Sequence, residues 1–413
     1  MADRPLSSQI VRGRLTLVAS GLIVALLLAE ASLRMLDRWG CFEDTSGSFA
    51  EPHPLFGWTH IAGASGWAKR CVGRQAEWRT FVRMNSHGLR GPEIPYERRG
   101  GFRVLVLGDS YTEGLQVAEE ETFVRRLEER LGAERPGCRI EVINAGHAAY
   151  GTANELLFYL HEGRKYAADL VLLVFNTEND VLENSTKLLQ QISFRYPDMP
   201  RYVYENGRLV LRNFPMAAPN GPWATIERLH RWIARHSLLY RVAWSLTLPR
   251  VGRAHAAESF ARLGPLGALL KEYPPEWEEA WRLTGALLHR LRRAVARDGA
   301  RFAVAVVGGA YEVSSRRFES RLYLAGAARV RDRLDRDKPN RLITGWLRRR
   351  RIPYLPVLER FREHATATGR DGYYHWDVHW NSEGHALAAD VIAAGLEELR
   401  VVPSRGERCE GPS

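Results

Sequence analysis

Two short polar motifs, far apart in the chain, contain the residue types of nucleophilic catalysis. Gly108-Asp109-Ser110 directly follows an apolar run, and Asp377 and His379 lie just before the last predicted helix. A serine hydroxyl is a weak nucleophile until a base takes its proton, and the base needs an acceptor that orients its ring. Ser110 is therefore the candidate nucleophile, His379 the candidate base and Asp377 the orienting acid. Taken singly, each motif also fits a helix cap.

Two further polar segments follow other predicted strands. Residues 144–151 form a small-residue loop that would let backbone N–H groups approach a substrate, and residues 175–180 include Asn179, whose amide could donate to an oxyanion. All four segments lie at predicted strand ends or at the start of the last helix. They therefore share one rim of the sheet, where open α/β sheets bind ligands.

The elements that must position these residues are strands alternating with helices. An apolar run at residues 102–107 that ends at Gly108 predicts a strand buried on both faces, and further strands are predicted at residues 139–143, 169–175 and 301–307. A weaker run at 352–357 is interrupted by prolines, which predicts an edge strand. Amphipathic helices between the strands indicate a mainly parallel sheet covered on both faces, a three-layer α/β/α sandwich.

A long insertion, about residues 181–275, separates the third and fourth strands. A structureless loop of that length is improbable in a compact domain, so we expect an inserted cap with its own structure. Within it, residues 203–211 predict a β-hairpin around Asn206-Gly207, and residues 229–246 predict a helix.

Together, the four segments resemble the four sequence blocks of the SGNH hydrolase superfamily, the GDSL-type esterases and lipases. The resemblance covers about residues 102–400, and residues 85–91 resemble a lead-in found in bacterial members. It implies a flavodoxin-like fold and acyl transfer through a serine ester. It also implies a catalytic triad of Ser110, His379 and Asp377. The oxyanion hole would come from Asn179 and from backbone N–H groups of the second block, which contains Ala149 and Gly146.

Three positions depart from the pattern of the family. The fourth block has the spacing DxH instead of DxxH, with Trp376 three residues before the histidine, as in relatives that act on polysaccharide acetyl groups. Glu178 replaces the glycine expected before Asn179. Ala149 stands where the oxyanion glycine is expected. Its N–H can serve if φ lies at about −60° to −100°, and its methyl group would then favour a small acyl group such as acetyl.

Three other histidines lie near these motifs. His147 and His375 are expected either to contact substrate or to pack, and His385, within the last helix, to pack or lie on the surface. No cluster has the spacing of metal ligands, so we expect neither a metal nor another cofactor.

The N-terminus predicts a single membrane anchor. The apolar run at residues 15–29 follows three arginines, Arg4, Arg12 and Arg14. Basic residues stay cytoplasmic, so the chain after the run should lie outside the cytoplasm, in the periplasm or at the cell surface. A span needs about 20 residues, and this one reaches that length if Glu30 lies near the outer interface. The alternative is a signal peptide cleaved at Ala29-Glu30-Ala31; we favour the uncleaved anchor.

The predicted organisation is a tail and anchor at 1–36, an extracytoplasmic lead-in at 37–101, the hydrolase domain at 102–400 and a tail at 401–413. Four cysteines form no CxxC pair, and an extracytoplasmic location would allow a disulfide between Cys41 and Cys71. The net charge is +11, but no nucleic-acid-binding motif accompanies it, so we expect a solvated basic surface and no nucleic acid partner.

These features predict a serine-dependent esterase that acts on a small acyl ester, either a small molecule or a carbohydrate or envelope polysaccharide. Two alternatives remain open. The same triad would serve an O-acyltransferase that modifies an envelope polysaccharide. A polysaccharide-binding protein without activity could also keep the fold.

Overall fold

The computed structural model describes residues 6–37, 49–73, 75–192, 199–217, 221–247, 260–407 and 409. By their internal contacts, these fall into two compact units. The first comprises Met1–Ser48, Arg70–Ala76 and Pro219–Arg253, and the second comprises Phe49–Lys69, Glu77–Ala218 and Ala254–Ser413. Two helices of the insertion predicted as a cap, which fall within Pro219–Arg253, are thus in the same unit as the N-terminal helix, whereas the rest of the insertion is in the second unit.

The helices are α1 Leu6–Asp37, α2 Ser110–Glu113, α3 Phe123–Ala133, α4 Thr152–His161, α5 Asp180–Glu183, α6 Thr186–Ile192, α7 Gly221–His236, α8 Leu238–Thr247, α9 Pro275–Arg297, α10 Ala310–Val313, α11 Ser315–Leu324, α12 Lys338–Arg349, α13 Val357–Thr368 and α14 Ser382–Glu398. The strands are β1 Ala50–His53, β2 Gly57–His60, β3 Ser65–Val72, β4 Gln75–Arg83, β5 Phe102–Gly108, β6 Ile140–Gly146, β7 Leu170–Asn176, β8 Arg201–Glu205, β9 Arg208–Arg212, β10 Arg301–Val307 and β11 Tyr354–Pro356.

A five-stranded parallel sheet organises the second unit, in the order β11-β10-β7-β5-β6. This is the flavodoxin-like order, and the predicted fold class is confirmed. The short, proline-containing β11 lies at the edge, as expected. The strand order reverses between β5 and β7, and the carboxyl ends of strands at such a point are where open α/β sheets bind ligands.

Two apolar clusters cover the faces of the sheet. Leu105 and Leu107 of β5 pack in a cluster with α4 and α9, whereas Val104 and Val106 pack in another with α3, α13 and α14. Successive strand residues point to opposite faces, so a strand covered on both sides is mostly apolar; the exception in β5 is Arg103, which is buried in an ion pair with Glu141 of β6. This is why the apolar runs predicted these strands correctly.

The insertion contains the predicted hairpin, and the segment predicted as one helix forms two. β8 and β9 pair antiparallel around Asn206 and Gly207, whose φ angles are +49° and +75°. Positive φ at both central residues is what a type I′ turn requires. The helix predicted over 229–246 is divided at Ser237 into α7 and α8.

The N-terminal helix has the length and composition of a membrane span. Residues Arg12–Asp37 form a stretch of 26 residues with a mean hydropathy of 2.0 in its most apolar window, and none of that window is buried. By these criteria, α1 can cross a membrane or act as a signal sequence.

Two cysteines of the second unit form a disulfide that the sequence did not predict. Cys138, just before β6, bonds to Cys409 in the C-terminal tail, across a sequence separation of 271 residues. Cys71 is also disulfide-bonded, and Cys41, the partner expected for it, lies outside the described residues.

Candidate active site

Ser110 lies at a tight junction between β5 and α2. Asp109 caps the helix, because its Oδ1 accepts the N–H of Tyr111 at 2.9 Å. Gly108 is required by close packing: a Cβ there would lie 2.2 Å from Oγ1 of Thr112. The junction presents a partly exposed Ser110 at the carboxyl end of a central strand.

His379 lies within hydrogen-bonding distance of Ser110. Its Nε2 is 2.7 Å from the Ser110 Oγ, and its Nδ1 is hydrogen-bonded to Oδ1 of Asp377. The same Asp377 oxygen accepts the backbone N–H of His379 at 3.0 Å. Tyr111 fixes this loop, since its hydroxyl donates to the carbonyl of Val378 at 2.7 Å. The three residues predicted as a triad thus form one hydrogen-bonded series.

Two residues of β4 hold Asp377, and neither contact was predicted from the sequence. The indole N–H of Trp78 donates to the second carboxylate oxygen, Oδ2, at 2.8 Å. The Glu77 carboxylate accepts the backbone N–H groups of Trp376 and Asp377, at 2.7 and 2.8 Å. The alternation of β4 buries Trp78 and so marked it as inward-facing, but it did not show what the indole contacts.

The pKa values of the pair suit a base and its orienting acid. Burial raises the pKa of Asp377, but hydrogen bonds from His379 and Trp78 outweigh it and lower that pKa to about 2. Burial lowers the pKa of His379, but the hydrogen bond and charge of Asp377 raise it above its usual value. Asp377 is therefore ionised at neutral pH and stabilises the imidazolium that forms during proton transfer.

Replacing Trp78 tests whether its N–H holds the acid. Trp78→Phe keeps an aromatic ring but removes the donor, so the pKa of Asp377 should rise and its orientation should loosen. We expect kcat/KM for an aryl acetate to fall about tenfold, the size expected for a hydrogen bond to a charged group. Trp67→Phe, on the half-exposed face of the neighbouring β3, is the matched control. Equal activity of both variants would show that the indole does not support Asp377.

Two groups near the Ser110 hydroxyl are candidate oxyanion donors: the backbone N–H of Ser110 itself and the side chain of Asn179. Ser110 begins α2, and no described residue accepts its backbone N–H. Burial raises the pKa of Asp109, and hydrogen bonds act against it, chiefly from the Asn176 side chain at 2.8 Å and to a smaller extent from Asn179. The Asn179 side chain therefore lies near the residue that precedes Ser110. Its Oδ1 is buried without a partner among the described residues.

Gly146 cannot serve as the donor that the sequence suggested. Its N–H donates to Oδ1 of Asn144 at 2.9 Å, so that group is already occupied. The cause is local, because an asparagine side chain commonly binds the backbone two residues further on. The glycine is needed for packing instead: a Cβ would lie 2.5 Å from the carbonyl carbon of Thr112.

Ala149 has a φ of +57°, so the expected negative φ is wrong. The reason is a turn: the N–H of Tyr150 donates to the carbonyl of His147 at 3.1 Å, which places Ala149 at the third position. Type II turns need a positive φ there. Ala149 is exposed, and no described residue accepts its N–H. Its role as an oxyanion donor stays a prediction.

The left-handed conformation predicts that Ala149→Gly stabilises the protein. An alanine in this region costs roughly 1–2 kcal/mol, part of which glycine loses again through the entropy of the unfolded chain. We expect the free energy of unfolding to rise by roughly 0.5–1 kcal/mol, measured by denaturant unfolding. Ala148→Gly, one residue earlier and without a positive φ, should instead destabilise. Equal losses of unfolding free energy in Ala149→Gly and Ala148→Gly would contradict the left-handed conformation of Ala149.

The other histidines have mainly packing roles. His147 is fully buried and stacks between His60 and Tyr150, at ring distances of 4.5 and 4.6 Å, so of the two alternatives, substrate contact and packing, the structure shows packing. His385 is buried as well, and its Nδ1 accepts the N–H of Phe123 at 3.2 Å. His375 is exposed and lies against Trp376.

Several buried carboxyl groups are found around Asp109. Burial raises the pKa of Glu155, Asp180 and Glu183, the last to about 8, and their mutual repulsion adds to the effect. Asp180 follows Asn179 directly in the chain, so these buried carboxyl groups lie next to the segment 175–180 that contains Asn179. Within the described part of the chain, no group of three or more His, Cys, Asp or Glu residues has the geometry to hold a metal ion.

No protein family model matches the chain, and neither does any curated protein. Solved SGNH-type and other α/β hydrolases are similar in structure. One is Axe2, an acetylxylan esterase from Geobacillus stearothermophilus, 12% identical, with 75% of this chain and 97% of that chain covered and a TM-score of 0.38. Another is LAE5, an α/β hydrolase enzyme from the metagenome of Lake Arreo, Spain, 12% identical, covering 73% and 97%, with a TM-score of 0.36. TesA is 12% identical, covering 72% and 99%, with a TM-score of 0.38. Similarity this weak does not establish a shared activity, so a functional assignment must rest on the site itself.

Proposed function

We propose that the protein is a serine-dependent ester hydrolase that works through an acyl-Ser110 intermediate. The observation that carries the proposal is the series Ser110–His379–Asp377, with the nucleophile 2.7 Å from its base. The N–H of Ser110 at the start of α2 supports it further, since that group is free to bind an oxyanion.

In the first half-reaction, Ser110 Oγ attacks the ester carbonyl while His379 Nε2 takes its proton. The negative charge on the carbonyl oxygen is stabilised by the Ser110 N–H, with Asn179 and Ala149 as the further donors we propose. The tetrahedral intermediate collapses as His379 gives the proton to the departing alcohol. Water then attacks the acyl-serine with His379 again as base, which releases the carboxylic acid and restores Ser110.

We propose a small acyl group, acetyl or similar, on a carbohydrate or envelope polymer. The support is the DxH spacing, similar to that of polysaccharide esterases. An O-acetylated oligosaccharide should release acetate, and butyryl esters should react poorly. Preference of the unmodified protein for long acyl chains would contradict this substrate assignment.

An O-acyltransferase is the second candidate, because the two reactions differ only in whether water or a sugar hydroxyl attacks the acyl-serine. Supplying an acetyl donor together with a non-acetylated oligosaccharide distinguishes them. Free acetate as the main product supports the hydrolase, whereas acetylated oligosaccharide supports the transferase. A non-catalytic binding protein is less well supported, because it would not need a base within hydrogen-bonding distance of Ser110.

We further propose that α1 is an uncleaved, single-pass anchor with the second unit outside the cytoplasm. Arg12 and Arg14 before the apolar run support this orientation. The Cys138–Cys409 disulfide does so too, because such bonds persist in oxidising compartments. A reporter fused after Ser413 should be active only outside the cytoplasm, and carbonate-washed membranes should retain the full chain. A soluble product beginning at Ser32 would show cleavage instead.

A further inference from the structure

A carboxylate in the apolar helix α1 caps another helix of the first unit. Glu30 accepts the backbone N–H groups of Leu238 and Leu239, the first residues of α8, at 2.9 and 2.8 Å, and the hydroxyl of Ser237 at 2.9 Å. The N-terminus of a helix carries unpaired N–H groups and a partial positive charge. The Glu30 carboxylate accepts these N–H groups and balances the partial charge, and it thereby fixes α8 to α1.

Arg34, one turn further along α1, binds the end of the preceding helix. Its Nη2 donates to the carbonyl of His236, the last residue of α7, at 2.7 Å, and its Nε donates to Glu30 at 2.6 Å. A cation suits the C-terminus of a helix as an anion suits the N-terminus. Glu30 and Arg34 therefore hold the junction of α7 and α8, each charge against the matching helix end.

The contact between Glu30 and the junction of α7 and α8 lies at a level of α1 that would be inside the bilayer. At 1.5 Å per residue, Glu30 is about 22 Å along the helix from Leu15, which places it in the outer part of a hydrocarbon core about 30 Å thick, toward the interface. Apolar surface continues past the charged pair, since Met35 and Leu36 are 64% and 52% exposed. Charged groups at such depth are costly unless paired, and here they are paired with one another and with two helix ends.

The helix α7 carries an exposed apolar face. Ile226, Leu229 and Trp232 are 54%, 56% and 58% exposed, and their spacing of three residues places them along one side of the helix. Tyr240 and Trp244 of α8 contact His230 of α7 and hold the two helices together. Leucine, isoleucine and tryptophan on one face are typical of helices that lie in a membrane interface.

We propose that α7 and α8 form a hairpin that lies in the membrane interface, with Ile226, Leu229 and Trp232 immersed in the lipid that α1 crosses. The exposed apolar face of α7 then contacts lipid at the boundary between headgroups and acyl chains, and this lipid is continuous with the lipid around α1. This inference requires that α1 spans the membrane, but it does not depend on the proposed hydrolase activity.

Spin labels on the exposed face test the proposal in the full-length protein. Leu229→Cys carries a nitroxide in lipid nanodiscs, with Ser320→Cys, on an exposed position of α11, as the matched control. Accessibility to oxygen, which partitions into lipid, is compared with accessibility to a water-soluble nickel complex. We expect oxygen to dominate at Leu229 and nickel at Ser320.

Every other outcome at Leu229 overturns the proposal. Dominant nickel accessibility would place the face in water. Low accessibility to both reagents would mean that protein covers it, and spin–spin broadening would then identify a second copy of the chain. Ester turnover of the labelled protein is recorded separately, so that failure of the lipid assignment and failure of the enzymatic proposal remain distinct.

Removing the carboxylate tests the docking contact. Glu30→Leu should raise amide hydrogen exchange over residues 221–247 about tenfold or more, as expected for loss of hydrogen bonds to a charged group. Ala31→Leu, on an exposed side of α1, should leave exchange unchanged. Equal exchange in the two variants would show that Glu30 does not hold the hairpin.

Discussion

Ser110→Ala is expected to lower the turnover of an aryl acetate by about four orders of magnitude or more, and His379→Ala by a similar factor. The two residues act as one unit: the hydroxyl forms the bond, and the imidazole removes its proton at a distance of 2.7 Å. Loss of either member of such a triad leaves only the contribution of binding and the oxyanion donors. Steady-state release of the aryl alcohol measures the effect.

The matched control is Ser320→Ala, on the exposed face of α11, which should keep full activity. Thermal unfolding of each variant shows whether the fold is retained. If Ser110→Ala hydrolysed the ester at the rate of the unmodified protein, the nucleophile would have to lie elsewhere.

Asp377→Asn is expected to reduce kcat by about three to four orders of magnitude, the loss known for this change in other Ser-His-Asp triads. It should also shift the pH dependence. His379 must be neutral to accept a proton, so activity falls as the pH falls through its pKa, which Asp377 holds above the usual value. Without the charge, that pKa falls, and the residual activity should extend to lower pH.

Asp371→Asn is the control for the orienting acid. Asp371 pairs with Arg317 at 2.7 Å, and this arginine also donates to the carbonyl of His375 at 2.7 Å. The change should therefore cost stability more than turnover and leave the pH dependence in place. An inactive Asp371→Asn beside an active Asp377→Asn would reverse the assignment.

The sheet and the proximity of Ser110, His379 and Asp377 could be predicted because their signals are local. A strand buried on both faces is mostly apolar, so the apolar runs within residues 102–107 and 301–307 indicated β5 and β10 directly. The candidate nucleophile and base each stand next to such an element. The parallel sheet then fixes the edge at which the motifs converge.

The supports of the site could not be predicted, because they depend on contacts between distant segments. Trp78 reaches Asp377 across 299 residues of sequence, and nothing in either motif specifies the partner. The sequence left open whether His147 packs or contacts substrate, and the aromatic neighbours that bury it come from other segments and its own turn. The φ of Ala149 follows from the turn that its neighbours close, and alanine itself gives no sign of it.

In the insertion, the periodicity of apolar residues predicted secondary structure but not packing partners. The spacing of apolar residues at 229–246 indicated helix correctly, but an amphipathic pattern does not state which surface it faces. The expectation of a cap came from the position of the insertion in the chain. Glu30, a charged residue interrupting an apolar run, was the one local sign that α1 has a polar partner, and that partner is α8.

The most direct test of the central claim is mass spectrometry of the full-length protein after exposure to a fluorophosphonate, which forms a stable bond only with an activated serine. We expect one adduct per chain, located on Ser110, and no adduct in His379→Ala over the same time. Absence of any adduct, or an adduct on another serine while ester turnover persists, would contradict the assignment of Ser110 as the nucleophile.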